Sequence, residues 1–159
     1  MSTLAEKRLQ IKTILSTVAG IGRVHEYERW AKDITKFKAL YQDADKRING
    51  WTITRSSSGQ REGASMTVNT SDLFIIRGYY GVEDEAASEL AFQDLIESIR
   101  IAFQNKWNLN GYAESLSPDF GPGAVGSGVQ VRVVDYRLFF GILVHYCELV
   151  LGVQDQTDI

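Results

Sequence analysis

A chain of 159 residues has the length of a single domain, and 44% hydrophobic against 23% charged residues is enough apolar side chain to bury a core. A formal charge of −3, with no block of Lys or Arg, argues against a protein that grips nucleic acid through clustered cations. One cysteine, Cys147, excludes an intramolecular disulfide and a CxxC metal site. The opening MSTLAEKRLQ is too polar for a secretory leader, and Arg137, His145 and Glu148 interrupt or bound the longest apolar run before it reaches the roughly 18–20 residues of a membrane span. The expectation is a soluble cytoplasmic domain with no membrane contact.

Thr3 and Glu6 have capping-box spacing, and Ile11, Ile14, Leu15 and Val18 follow at helical intervals up to Gly20. After a glycine-flanked reversal, residues 24–28 alternate well enough for a short extended segment. Trp30, Ile34, Phe37 and Tyr41 then recur at i, i+4, i+7 and i+11, which predicts a second amphipathic helix with Trp30 in the core. Asn49-Gly50 marks a turn, and WTITR, residues 51–55, a strand with Trp51, Ile53 and Arg55 on one face.

Residues 56–71 are small and polar, with no apolar period, and are expected to be a long mobile hairpin tip. LFIIRGYYG, residues 73–81, returns as the partner strand. The longest helical pattern runs over 84–107: Leu95, Ile99 and Ala102 recur at i, i+4 and i+7, and Phe92, Ile96, Phe103 and Trp107 widen the stripe. Glu83, Asp84 and Glu85 place carboxylates at its expected first turn. Residues 111–128 hold both prolines and form a second long loop. Val129, Val131 and Val133 begin another strand, Phe139-Phe140-Gly141 turns the chain, and 142–151 is a final strand apolar on both faces, followed by the polar tail QDQTDI.

The succession of hairpins and helices is that of one α+β domain over 1–159, a mostly antiparallel sheet packed against two or three helices, with flexible loops near 56–71 and 111–128.

Chemical motifs are weak. His145 and Cys147 share a strand face about 6–7 Å apart, beyond hydrogen-bond reach, in an apolar run that suits a buried pair. His25 with Glu26 and Glu28 offers too few metal ligands. Helix-end charge compensation explains 83–85 better than a cation site does. Gly121-x-Gly123-x-x-Gly126 is broken by Pro122 and precedes no helix. No catalytic, metal or cofactor site is expected. Arg55 and Arg77 are open to ion pairs with a neighbouring copy or within the fold. Trp51 is expected in the core. Tyr79 and Tyr80 point to opposite faces, so one lies at an interface unless both faces are covered.

GIGRVHEYERW, a second helix, INGWTITR, a long loop, DLFIIRGYYG, the 84–107 helix and a closing GILVHYCELVL follow one another along most of the chain. In this order of elements the sequence resembles the tail terminator (tail completion) proteins of long-tailed bacteriophages. The resemblance implies a structural virion protein with its helices on one side of a sheet. Six copies would form a ring on the last ring of the tail tube, stop its polymerisation and present a surface to the head–tail connector. DNA would pass through the channel without specific binding. Assembly would occur in the host cytoplasm, with the ring at the head-proximal end of the tail. Placement on loops and strands makes Arg55, Gln60, Arg61, Glu62, Met66, Arg77, Tyr79, Tyr80 and Phe120 the interface candidates. A head-side connector is the nearest alternative, and a small enzymatic or ligand-binding domain a more distant one.

Overall fold

Thr3 starts the first helix through a reciprocal capping box: its hydroxyl accepts from the Glu6 amide at 3.1 Å, and the Glu6 carboxylate accepts from the Thr3 amide at 2.7 Å. That helix, α1 (Leu4–Ser16), opens a computed structural model that describes residues 2–116 and 128–158. It is followed by β1 (Arg23–His25), α2 (Ile34–Tyr41), β2 (Asn49–Glu62), β3 (Thr67–Gly81), α3 (Ser88–Asn105), β4 (Glu114–Leu116), β5 (Val129–Phe139) and β6 (Ile142–Asp158).

The strands form one sheet in the order β1-β2-β3-β6, with β4 and β5 sharing the far edge of β6. Among the described strands only the β1–β2 pair is parallel, so the sheet is mostly antiparallel and the fold is α+β. Side-chain alternation sends Trp51, Ile53, Phe74, Ile76, Tyr80, Cys147, Leu149 and Leu151 to one face, where α1 and α3 meet them with Ile11, Ile14, Leu15, Phe92, Ile96, Ile99 and Phe103. Each such side chain, fully buried, contributes about 1.5–3 kcal/mol of transfer free energy. Gly78 sits under the Trp51 ring so closely that a Cβ there would lie 2.3 Å from a ring carbon.

The opposite face is covered too. Phe37, Leu40 and Tyr41 of α2 pack with Tyr79, Phe139, Ile142 and Val144. Helices therefore lie on both sides of the sheet, not on one as the resemblance implied, and Tyr79 and Tyr80 are both covered.

Several expectations need correction. The 56–71 segment is not a loop: Ser57 pairs with Leu73 and the ladder continues to Glu62 opposite Val68, closing at 63–66. Backbone hydrogen bonds make this ladder, its β2 side chains are exposed and its β3 side chains are mostly polar, so no apolar alternation announces it. The QDQTDI stretch is likewise strand as far as Asp158, paired along β3 to Thr67. Asn49-Gly50 is not a turn but the start of β2; the Asn49 amide donates to Gly20 O at 2.8 Å and its Oδ1 accepts from the Trp51 indole at 2.9 Å.

The long helix begins at Ser88, because Ala87 adopts a left-handed conformation (φ 53°) that separates it from a 3-10 turn at Asp84–Ala86. Glu83, Asp84 and Glu85 thus precede the helix, and its first turn holds Glu89 instead. Trp107 lies beyond its end and is exposed. Trp30 is not a core residue. The α2 N-cap is Asp33, whose Oδ1 accepts from the Lys36 amide at 2.8 Å, so Trp30 precedes the helix and stands 83% exposed. Of 111–128, a 3-10 turn at Leu109–Gly111 and β4 are described; Phe120 and the 121–126 glycines lie outside the described residues.

Candidate interaction surfaces

Beyond Arg55 the β2–β3 hairpin leaves the core and continues as an arm, backed on its β3 side by the last residues of β6, from Ser71 opposite Gln154 to Thr67 opposite Asp158. Gln60, Arg61, Glu62 and Met66 occupy its tip and are exposed, Met66 at 71%. Gln60 reaches across the ladder to the Thr70 hydroxyl at 3.5 Å. The structure therefore brings four of the candidates together.

At the base of the arm lies a buried charge cluster. Lys7 of α1 and Asp72 of β3, 3% and 2% exposed, form an ion pair at 3.0 Å. Asp155 of β6 approaches Lys7 at 3.9 Å and accepts from the Ser2 amide at 2.7 Å, and Arg55 lies 3.6 Å from the second oxygen of Asp72. Burial alone would raise the Asp72 pKa, but the Ser58 hydroxyl, the Lys7 hydrogen bond and the charges of Lys7 and Arg55 outweigh it and hold the carboxyl below its usual range. Arg55 thus pairs within the fold and anchors the arm. Sequence reasoning missed Lys7, although a signal existed: it sits four residues before Ile11 and seven before Ile14, on the buried stripe of α1.

The remaining candidates separate from the arm. Arg77 pairs with Glu28 and lies 3.6 Å from Glu148 on the α2 face, so it too is neutralised within the chain. Tyr79 packs between Tyr41 and Phe139. The Tyr80 hydroxyl accepts from Arg47 at 2.7 Å while its ring stacks on Phe92.

Neither a protein-family model nor a curated protein matches the chain.

The histidines are engaged locally. His25 Nε2 lies 2.7 Å from the Leu40 carbonyl, which only accepts, so Nε2 carries the proton. Glu26 pairs with Lys12 at 3.3 Å and Glu28 with Arg77, so the three side chains go to separate partners. Among the described residues no group of three or more His, Cys, Asp or Glu is placed to hold a metal. His145 and Ser88 lie 2.8 Å apart, a nucleophile–base distance that sequence spacing did not reveal. The Ser88 hydroxyl also accepts from the Glu83 amide at 2.8 Å, so it bridges Glu83 and His145 Nε2. Both residues are buried, and the chain of bonds closes the start of α3. Burial lowers the pKa of His145, with the Glu89 charge acting the other way; burial also lowers that of His25, against its Leu40 bond. Cys147 is buried in the core, and burial pushes its thiol above the ordinary range. Among the described residues no helix is long and apolar enough to cross a membrane.

Proposed function

We propose that this protein is a non-enzymatic structural subunit of a long-tailed phage virion, a tail terminator. In this reading it closes into a ring, hexameric as in the resembling family, on the last ring of the tail tube. The arm carries the reading. A three-stranded ribbon extends past the core with a solvated, mixed-charge tip, and the core makes no use of Gln60, Arg61, Glu62 or Met66. Such a projection is suited to gripping another protein, here the tube subunit beneath it. Occupying that surface stops the next tube ring from adding, and the opposite side of the ring meets the head–tail connector. A chain with a formal charge of −3 and no cation block suits a channel that lets DNA pass without holding it.

The test is electron microscopy of lysates from a phage lacking this reading frame, complemented with wild-type protein or with a variant whose residues 60–70 are replaced by Asn-Gly. That two-residue turn joins Gly59 to Ser71, which already face each other in the ladder. The expected result is tails of irregular, excessive length apart from filled heads, rescued by wild type and not by the shortened arm. Tails of uniform length that fail to join heads would assign the protein to the connector instead. Normal particles from the deletion would refute a virion role, and rescue by the shortened arm would remove the arm from docking.

A further inference from the structure

Two surfaces on opposite sides of the sheet are opposite in charge, and each carries exposed apolar side chains. On the α2 side, Trp30 is the most exposed large apolar residue among those described. It stands at a groove floored by Phe37, Tyr79, Phe139 and Phe140; Arg29 lines the same groove, and the exposed Lys32 follows two residues after Trp30. The Arg29 guanidinium lies 5.1 Å over the exposed Tyr27 ring, so the knob is aromatic and cationic together.

On the other side, a groove of about 480 Å³ runs between the start of α3 and the β5–β6 hairpin. Leu90, Tyr136 and Leu143 line it and are exposed, and Asp84 and Glu89 stand on its rim. From Glu83 to Glu97 the chain carries Glu83, Asp84, Glu85, Glu89, Asp94 and Glu97 and no Lys or Arg. Asp84, Glu85 and Glu89 form no ion pair with any described residue. The sheet lies between knob and groove, so one chain cannot satisfy both with itself.

We propose that this groove receives Trp30 of a second copy of the chain, with Arg29 and Lys32 of that copy facing Asp84, Glu85 and Glu89. The inference rests on the ring reading above and deepens it by naming the faces that meet. Knob and groove differ, so the contact is heterologous: every copy offers one of each, and repetition about an axis closes a ring. A desolvated Trp at the centre is the residue type that dominates such interfaces, and opposed charges on the rim set orientation and exclude the wrong pairing.

The experiment is sedimentation velocity on purified full-length protein over a concentration series. Wild type is expected to associate beyond a dimer, and Trp30→Ala to weaken association at least about 30-fold while leaving unchanged the melting temperature at concentrations where wild type is monomeric, since the side chain has no core contact to lose. A knob variant (Arg29→Glu, Lys32→Glu) and a groove variant (Asp84→Lys, Glu85→Lys, Glu89→Lys) should each remain monomeric, because each opposes like charges. Mixed in equal amounts they should recover the large species, since each reversed surface then meets its complement. Damage to folding would not be repaired by mixing. A monomeric wild type, association unaffected by the variants, or a mixture that stays monomeric would each overturn the proposal. If the charge variants associate normally while deletion of the reading frame still gives overlong tails, this contact falls and the tail role stands. Recovery on mixing with normal particles from the deletion leaves the contact standing and removes the tail role.

Discussion

Replacing Lys7 by Met tests what fixes the arm to the body. The substitution keeps most of the aliphatic stem and removes the ammonium, so Asp72 stays buried with its pair partner gone. At 3.0 Å and an effective dielectric constant of about 20, the Coulomb attraction is roughly 5–6 kcal/mol. Desolvation of both groups offsets most of that, so the pair itself adds little net stability. The unpaired charge is what costs: about 3–5 kcal/mol when one partner of a buried pair is removed, with Arg55 at 3.6 Å placing the value near the lower end. Urea unfolding followed by fluorescence of the buried Trp51 should read about 3 kcal/mol lost at pH 7. The double variant Lys7→Met, Asp72→Leu should return to within about 1 kcal/mol of wild type. The folded pKa of Asp72 lies below its unfolded value of about 3.9, so its contribution is present above about pH 4 and is lost as pH falls through the folded pKa. The gap between wild type and Lys7→Met should therefore narrow in acid. A single variant within 1 kcal/mol of wild type at pH 7, or a double variant no better than the single, would refute this account.

Gly78→Ala should cost about 1–3 kcal/mol, because its methyl would drive into Trp51; an unchanged melting temperature would mean that the ring moves aside freely. Cys147 should resist iodoacetamide in the native protein and react only after unfolding, as a buried thiol with a raised pKa must; labelling at a native rate matching that of free thiol would contradict its burial. His25 and His145 both have folded pKa values lowered mainly by burial, so the unfolded chain binds more protons just below its own pKa of about 6.5. Stability from these residues is intact above pH 6.5 and declines as pH falls from there through the folded values. Thermal melts between pH 8 and 5 should show this decline, shallower in His145→Gln; identical slopes would exclude His145 as a source.

The parts of the fold that bury side chains were legible in the residues. Ile11, Ile14 and Leu15 on α1, and Phe92, Leu95, Ile96, Ile99 and Phe103 on α3, recur with the helical period and all reach the core. The arm was not, because its polar ladder carries no apolar alternation; Ser57, Gly59 and Gln60 read the same in a coil as in a ladder. Trp30 misled for a related reason. Its spacing from Ile34 and Phe37 fits a helix, yet Asp33 caps the chain three residues later, and a cap overrides a period. The sequence puts Gln60, Arg61, Glu62 and Met66 on a mobile loop, and they stand at the tip of a hydrogen-bonded hairpin. Arg55 and Arg77 left two outcomes open, and only the positions of Asp72, Glu28 and Glu148 decide for pairing within the chain.

A strand advances roughly 3.3 Å per residue, so the five steps from Asp72 to Thr67 carry the tip of the arm about 17 Å past its charged anchor. Because the ribbon is hydrogen-bonded on both sides of β3, that stand-off belongs to the free chain and is not created on contact. In the proposed docking, the partner must lie at a height fixed by backbone geometry. Exchanging residues at the tip would then change what is held, whereas adding or removing a pair of rungs would change where it is held. The arm would thereby gauge spacing as well as grip.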